Sequence, residues 1–171
     1  MKNSFTWLII DTSFKNALFA LGDNGIVLVE TRIFQGFKTS ESLIYHIDDL
    51  LFEVNIKWED LGAIAVGLGP GSFTGIRMGL CLAKGIAEIY RIPILGFNSF
   101  CGIKQFNFKY FAIPASQLEY YLYEINSIGK NFVVSSDLPN NTYIESNGLS
   151  AESILGNIPG FLNKEDKYVN F

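Results

Sequence analysis

Residues 63–97 carry the pattern that most restricts the fold. Ala63 to Leu68 is a short apolar run of the kind a buried strand needs. It leads into Gly67-Leu68-Gly69-Pro70-Gly71-Ser72-Phe73-Thr74-Gly75, a glycine-rich turn. A helix is expected from about Phe73 to Tyr90, with Pro93 just past its end. Ile94 to Phe97 reads as a further strand. A strand, a turn, a helix and a second strand in this order build a layered α/β structure.

The preceding segments extend the same sheet. Residues 5–10 read as a buried strand, closed by the short polar side chains of Asp11, Thr12 and Ser13. Asn16 to Leu21 resumes a strand, Gly22-Asp23-Asn24-Gly25 is a strong turn signal, and Ile26 to Ile33 returns. Three strands joined this way form an antiparallel meander. A helix follows, with Thr39, Ser40 or Ser42 as its cap and Glu41 in its first turn. Leu43, Ile47, Leu50, Leu51 and Val54 make one apolar stripe, while Tyr45 and Phe52 share a second face. The first hundred residues therefore read β-β-β-α-β-α-β around a mixed five-stranded sheet. Past residue 100 the signal weakens. Tyr110 to Ile113, Tyr120 to Ile125 and Phe132 to Ser135 look like strands, residues 137–141 like a loop, Ala151 to Leu155 like a short helix and residues 168–171 like a terminal strand. The division expected is a lobe over 1–103 and a reduced lobe over 104–171.

Composition narrows the class of protein. At roughly 100–200 residues per domain, 171 residues allow one domain with a small appendage. Apolar residues at 49% and charged residues at 18% exclude a disordered chain. Thirteen basic against 17 acidic residues leave −4, which argues against unaided nucleic-acid binding. The apolar run near the N-terminus is broken at Asp11, too early for a signal peptide, and no segment approaches the roughly 18 apolar residues of a membrane span. Cys81 and Cys101 read as reduced thiols of a cytosolic protein. With His46 as the sole histidine, a zinc site is not expected.

The glycine-rich turn fits none of three familiar motifs. It has no Gly-Lys-Ser/Thr triplet, no glycine at the sixth position of a dinucleotide fingerprint, and Pro70 where a nucleophile elbow needs glycine. Two readings stand. Gly69 and Gly71 can simply make the turn, with Ser72 capping the helix. Alternatively, the helix N-terminus binds an anion, helped by the hydroxyls of Ser72 and Thr74. Arg77 either joins that anion or pairs with a helix acid. The helix also carries Gly75, Gly79, Ala83 and Ala87 at four-residue spacing on one face. Glycine in a helix costs about 1 kcal/mol against alanine, so the stripe implies a close backbone neighbour. That neighbour lies either inside the domain or on a partner. Ile76, Leu80, Ile86 and Ile89 on the other side are expected to cover the sheet.

These residues resemble the TsaB family, also called YeaZ. The resemblance rests on Gly69 to Gly79 followed by Ala83-Lys84-Gly85, on Ile10-Asp11-Thr12-Ser13, on Ala65-Val66-Gly67 and on Ile92 to Ser99. Ser40-Glu41-Ser42-Leu43-Ile44 matches the family's helix start, with Thr39 in place of its histidine. The likeness covers residues 7–100 well and 112–124 more loosely. Pro114-Ala115-Ser116 replaces the family's usual Asp-Ala-Arg, and the second lobe looks trimmed.

The resemblance implies an actin-like ATPase fold of the sugar kinase, Hsp70 and actin type. It implies a scaffold or dimerisation subunit for TsaD, acting with the ATPase TsaE, in the machinery that installs N6-threonylcarbamoyladenosine at position 37 of ANN-decoding tRNAs. Enzymes of the TsaD type hold a metal with a His-x-x-x-His pair after the fifth strand. The matching stretch here, Asn98 to Lys104, has no histidine, so a pseudo-enzyme without a metal site is expected. The TsaD partner is expected on Gly75, Gly79, Ala83 and Ala87 and on Tyr45 and Phe52, the same face serving a homodimer when the chain is isolated. Cytoplasmic location, no membrane contact and indirect contact with tRNA follow from the same reading. No cofactor is required by it, although ATP or ADP can sit at the partner interface. The rival reading is an independent nucleotide-binding ATPase using Asp11, Thr12, Ser13, Gly69, Gly71, Ser72, Thr74 and Arg77. A peptidase built on Ser72 lacks a base.

Overall fold

The computed structural model describes residues 5–34, 41–102, 109–115, 118–124, 132–140, 142–144 and 149–157. The capping positions Thr39 and Ser40 and the terminal strand expected at 168–171 lie outside the described residues. Strands β1 (Thr6–Asp11), β2 (Asn16–Asp23) and β3 (Ile26–Phe34) form the expected meander. Asn24 and Gly25, both at positive φ, turn the chain between β2 and β3. Helix α1 (Glu41–Glu53), strand β4 (Leu61–Gly67), helix α2 (Phe73–Tyr90) and strand β5 (Ile94–Phe97) follow, with a short 3-10 turn at Trp58–Asp60. The sheet order is β3-β2-β1-β4-β5, with β4 parallel to both β1 and β5.

Both faces of this sheet are covered, which is why its inner strands are continuous apolar runs rather than alternating ones. Leu8 and Ile10 of β1 point to the helical face, with Phe19, Leu21, Ile64 and Val66. There they meet Leu43, Ile47, Leu50 and Leu51, the predicted stripe of α1. Ile9, one residue out of phase, points to the opposite face with Leu18, Ala20 and Ala65.

That opposite face is covered by the second half of the chain. Strands β6 (Tyr110–Pro114), β7 (Tyr120–Glu124), β8 (Phe132–Ser135) and β9 (Thr142–Ile144) form a sheet of order β8-β7-β6-β9, and helix α3 (Ala151–Asn157) packs against β2, β3 and the 3-10 turn at Ser99–Gly102. Phe111, Ile113, Ile154 and Leu155 share one apolar cluster with Ile9 and Leu18. Phe100 bridges the halves, edge-on to Phe111 at 6.0 Å and stacked on Tyr123 at 4.7 Å. Strand β9, parallel to β6, had no sequence signal, since three residues carry no period.

Helix α2 requires a correction. Gly75, Gly79 and Ala83 are buried inside the chain, so they do not form the outward docking surface expected of them. A Cβ on Gly75 would land on the carbonyl of Thr12, and one on Gly79 on the Thr12 hydroxyl. That hydroxyl donates to the Gly75 carbonyl at 2.6 Å. Ala87 is half-buried against the same core. Of the four residues expected to cover the sheet, Ile86 does so, Ile76 and Leu80 are half-buried, and Ile89 is exposed. The end of β1 comes so close that only the side bearing no side chain can face it. Nothing in the structure explains Gly85, whose Cβ would meet open space.

Two substitutions test this packing by urea denaturation. Phe111→Ala removes a fully buried ring from the shared cluster and lowers stability by about 3–5 kcal/mol. Gly79→Ala improves helix propensity by about 1 kcal/mol, yet it overpacks against Thr12 and destabilises by about 1–3 kcal/mol net. A stabilised Gly79→Ala variant would mean that the stripe faces outward after all.

Candidate functional site

The carboxyl ends of the parallel strands β1, β4 and β5 converge, the place where open α/β sheets bind ligands. Asp11 closes β1 and is 1% exposed. Its Oδ1 accepts from the Ser13 N–H at 2.9 Å, an Asx turn, and also contacts the Ser13 hydroxyl. Its Oδ2 lies 2.6 Å from Oγ of Ser99, which follows β5. The Ser13 and Ser99 hydroxyl oxygens are 3.1 Å apart. The Gly69 N–H donates to the Ser99 hydroxyl at 3.1 Å, and the Ser99 N–H to the Gly69 carbonyl at 2.8 Å. Gly67 ends β4 directly over the acid, and a Cβ there would land on Oδ2. Burial pushes the Asp11 carboxyl above its ordinary range, against the opposing pull of hydrogen bonds from Ser13 and Ser99.

The glycine-rich turn folds down onto this cluster. The Ser72 N–H donates to the Ser13 carbonyl at 2.7 Å, and a Cβ on Gly71 would land on that same oxygen. Ser72 Oγ accepts from the Gly75 N–H at 3.2 Å, so Ser72 caps α2 as one of the two sequence readings held. Thr12 is turned away to Gly75. Thr74 and Arg77 are exposed, and the Arg77 guanidinium lies 5.2 Å from the Phe73 ring rather than beside a helix acid. The residues expected at an anion site thus divide. Asp11, Ser13, Gly69, Gly71 and Ser72 come together and engage one another, while Thr74 and Arg77 stand outside.

Ser99 is the site residue that sequence reasoning passed over. A hydroxyl just past the strand parallel to β4 could have marked it, because that position falls at the same sheet end. On the outer helical face, Tyr45 and Phe52 of α1 are 66% and 88% exposed, and Phe73 and Ile89 of α2 are exposed as well. Cys81 and Cys101 are not joined in a disulfide. Among the described residues, no three His, Cys, Asp or Glu side chains gather to hold a metal, and no helix is long and apolar enough to cross a membrane.

Comparison with known proteins places these features. A family model described as TsaD, tRNA N6-adenosine threonylcarbamoyltransferase, matches residues 38–110. The tRNA threonylcarbamoyladenosine biosynthesis protein TsaB of Escherichia coli is 31% identical over 98 residues, 57% of this chain and 42% of that protein. The alignments span only 41–44% of the length of the TsaB relatives from Escherichia coli, Bacillus subtilis and Haemophilus influenzae. Among solved structures, YeaZ from Pseudomonas aeruginosa superposes with a TM-score of 0.70 at 21% identity, over 89% of both chains. Component A of (R)-2-hydroxyglutaryl-CoA dehydratase from Acidaminococcus fermentans gives a TM-score of 0.50 at 13% identity, over 78% of this chain and 48% of that one. The fold is the expected actin-like one. Over part of its sequence and in its fold, the chain is similar to TsaB and YeaZ proteins.

Proposed function

We propose that this chain is a non-catalytic subunit, partnered by TsaD, of the machinery that makes N6-threonylcarbamoyladenosine at position 37 of ANN-decoding tRNAs. The names of its sequence relatives support the pathway. The observation that carries the non-catalytic reading is the filled sheet end. Asp11, Ser13 and Ser99 satisfy one another in a space that the missing Cβ of Gly67 and the turn at Gly71 leave just large enough for them. A carboxyl engaged in this way has no open position toward a substrate. TsaE completes the complex, in the cytoplasm, and a net charge of −4 suits a subunit that meets tRNA only indirectly. Any ATP or ADP belongs at the interface with TsaD, outside the filled sheet end.

The docking surface proposed is the outer helical face, led by Tyr45 and Phe52, because aromatic anchors dominate interface energetics. Gly75, Gly79 and Ala83 support it from beneath by setting the position of α2. The same face accounts for a homodimer of the isolated chain.

Reconstitution tests the role. TsaD, TsaE and threonylcarbamoyl-adenylate should modify tRNA only when this chain is added, and the chain alone should transfer nothing. Transfer by the chain alone, or micromolar Mg-ATP binding with turnover, would favour the rival ATPase reading. The double variant Tyr45→Glu, Phe52→Glu should weaken TsaD binding by about 30-fold or more, the scale of losing an interface anchor. Its thermal unfolding should match the parent, because both side chains are exposed.

A further inference from the structure

The cluster around Asp11 can be read by counting protons. Three oxygen pairs are in contact: Asp11 with Ser13, Ser13 with Ser99, and Ser99 with Asp11. Each contact needs one proton. If the carboxylate is ionised, the two serine hydroxyls supply only two. Both are drawn to the carboxylate, and the Ser13 and Ser99 oxygens then face each other at 3.1 Å with lone pairs opposed. A third proton on Oδ2 resolves this. Asp11 donates to Ser99, Ser99 donates to Ser13, and Ser13 donates to Oδ1. The outer donors fit the same direction. The Ser13 N–H reaches Oδ1, which stays a pure acceptor, and the Gly69 N–H reaches the second lone pair of Ser99.

We propose that Asp11 is held as a neutral carboxylic acid that closes a three-membered hydrogen-bond ring with Ser13 and Ser99, and that this ring latches the glycine-rich turn to the end of β1. Among the described residues, no countercharge competes with the proton. β2 faces Asp11 through Leu18, β4 through Gly67, the turn through Gly69 and the segment after β5 through Ser99, and none of these is charged. α2 approaches through Gly75 and Gly79, which meet Thr12. A buried carboxylate without a cation is costly, so burial acts in the same direction as the proton count. The latch is proton-dependent. Loss of the Oδ2 proton to solvent base opposes the Ser13 and Ser99 oxygens and loosens Gly69, which is tied to Ser99 at both its N–H and its carbonyl. The inference does not depend on any role in tRNA modification.

The sign of the pH effect follows. The folded state binds this proton more tightly than the unfolded state does. The stability contributed is complete below the ordinary aspartate pKa of about 3.9 and is lost as pH rises through the higher folded-state value. Asp11→Asn preserves the ring, since its amide N–H can donate to Ser99 while its oxygen accepts from Ser13, and it has no proton to lose. The primary measurement uses the unaltered protein. With carbon-13 in the aspartate carboxyls, the Asp11 signal at pH 7 should sit in the protonated range. An Asp11 signal in the ionised range at pH 7 would overturn the proposal. In urea, Asp11→Asn should equal or exceed the parent midpoint at pH 7, and its advantage should grow as pH rises. A parent that gains on Asp11→Asn with rising pH would overturn it as well. Should Asp11→Asn fail to fold, the carboxyl signal of the unaltered protein still decides.

Discussion

The approach of α2 to the end of β1 is the constraint on which the rest of the structure rests. Thr12 fills the space that side chains at Gly75 and Gly79 would need, and its hydroxyl holds the Gly75 carbonyl. The helix start is thereby drawn over the strand end. With both ends of the turn after β4 so placed, its backbone must fold down onto Ser13 and Ser99. Asp11 is enclosed as a result. The helix tolerates two interior glycines, at about 1 kcal/mol each, because Ala83 and Ile86 on the same side are buried against the sheet.

This arrangement exchanges the two sides of α2. The small residues are used inside the domain, and Phe73 and Ile89 are left outside with Tyr45 and Phe52 of α1. The exposed sides of the two helices therefore carry these large apolar residues among charged ones such as Asp48, Arg77 and Glu88, and not the small stripe. The opposite face of the sheet is not available for contact, since Phe111, Ile113, Ile154 and Leu155 already cover it. With both faces accounted for, the chemistry-bearing end and the outer helices are separate parts of the molecule. One is closed by its own side chains, and the other is open.

Most of the architecture was legible because independent signals coincided. β1 to β5 each join an apolar run to a turn or breaker, and α2 combines a cap at Ser72, an apolar period and Pro93 beyond its end. The stripe of α1 reached the core as its spacing required. β9 was missed because a strand of three residues, recruited by β6, has no pattern of its own. At the site, Asp11, Ser13, Gly69, Gly71 and Ser72 could be picked out as one group, since strand ends and glycine-rich turns are local features. Ser99 could not, because its importance lies in a partner 88 residues away.

The order of strands and helices, the residues sharing each helix face, and the gathering of small polar groups at one sheet end were all determined by the sequence itself. Such features depend on periods and turn chemistry within a few residues. Only the tertiary structure decided which side of α2 meets the sheet and whether the polar groups face a ligand or each other. Those outcomes depend on Thr12 reaching Gly75 across 63 residues and Asp11 reaching Ser99 across 88. A local pattern fixes which side chains stand together, but steric fit between distant segments selects what they stand against.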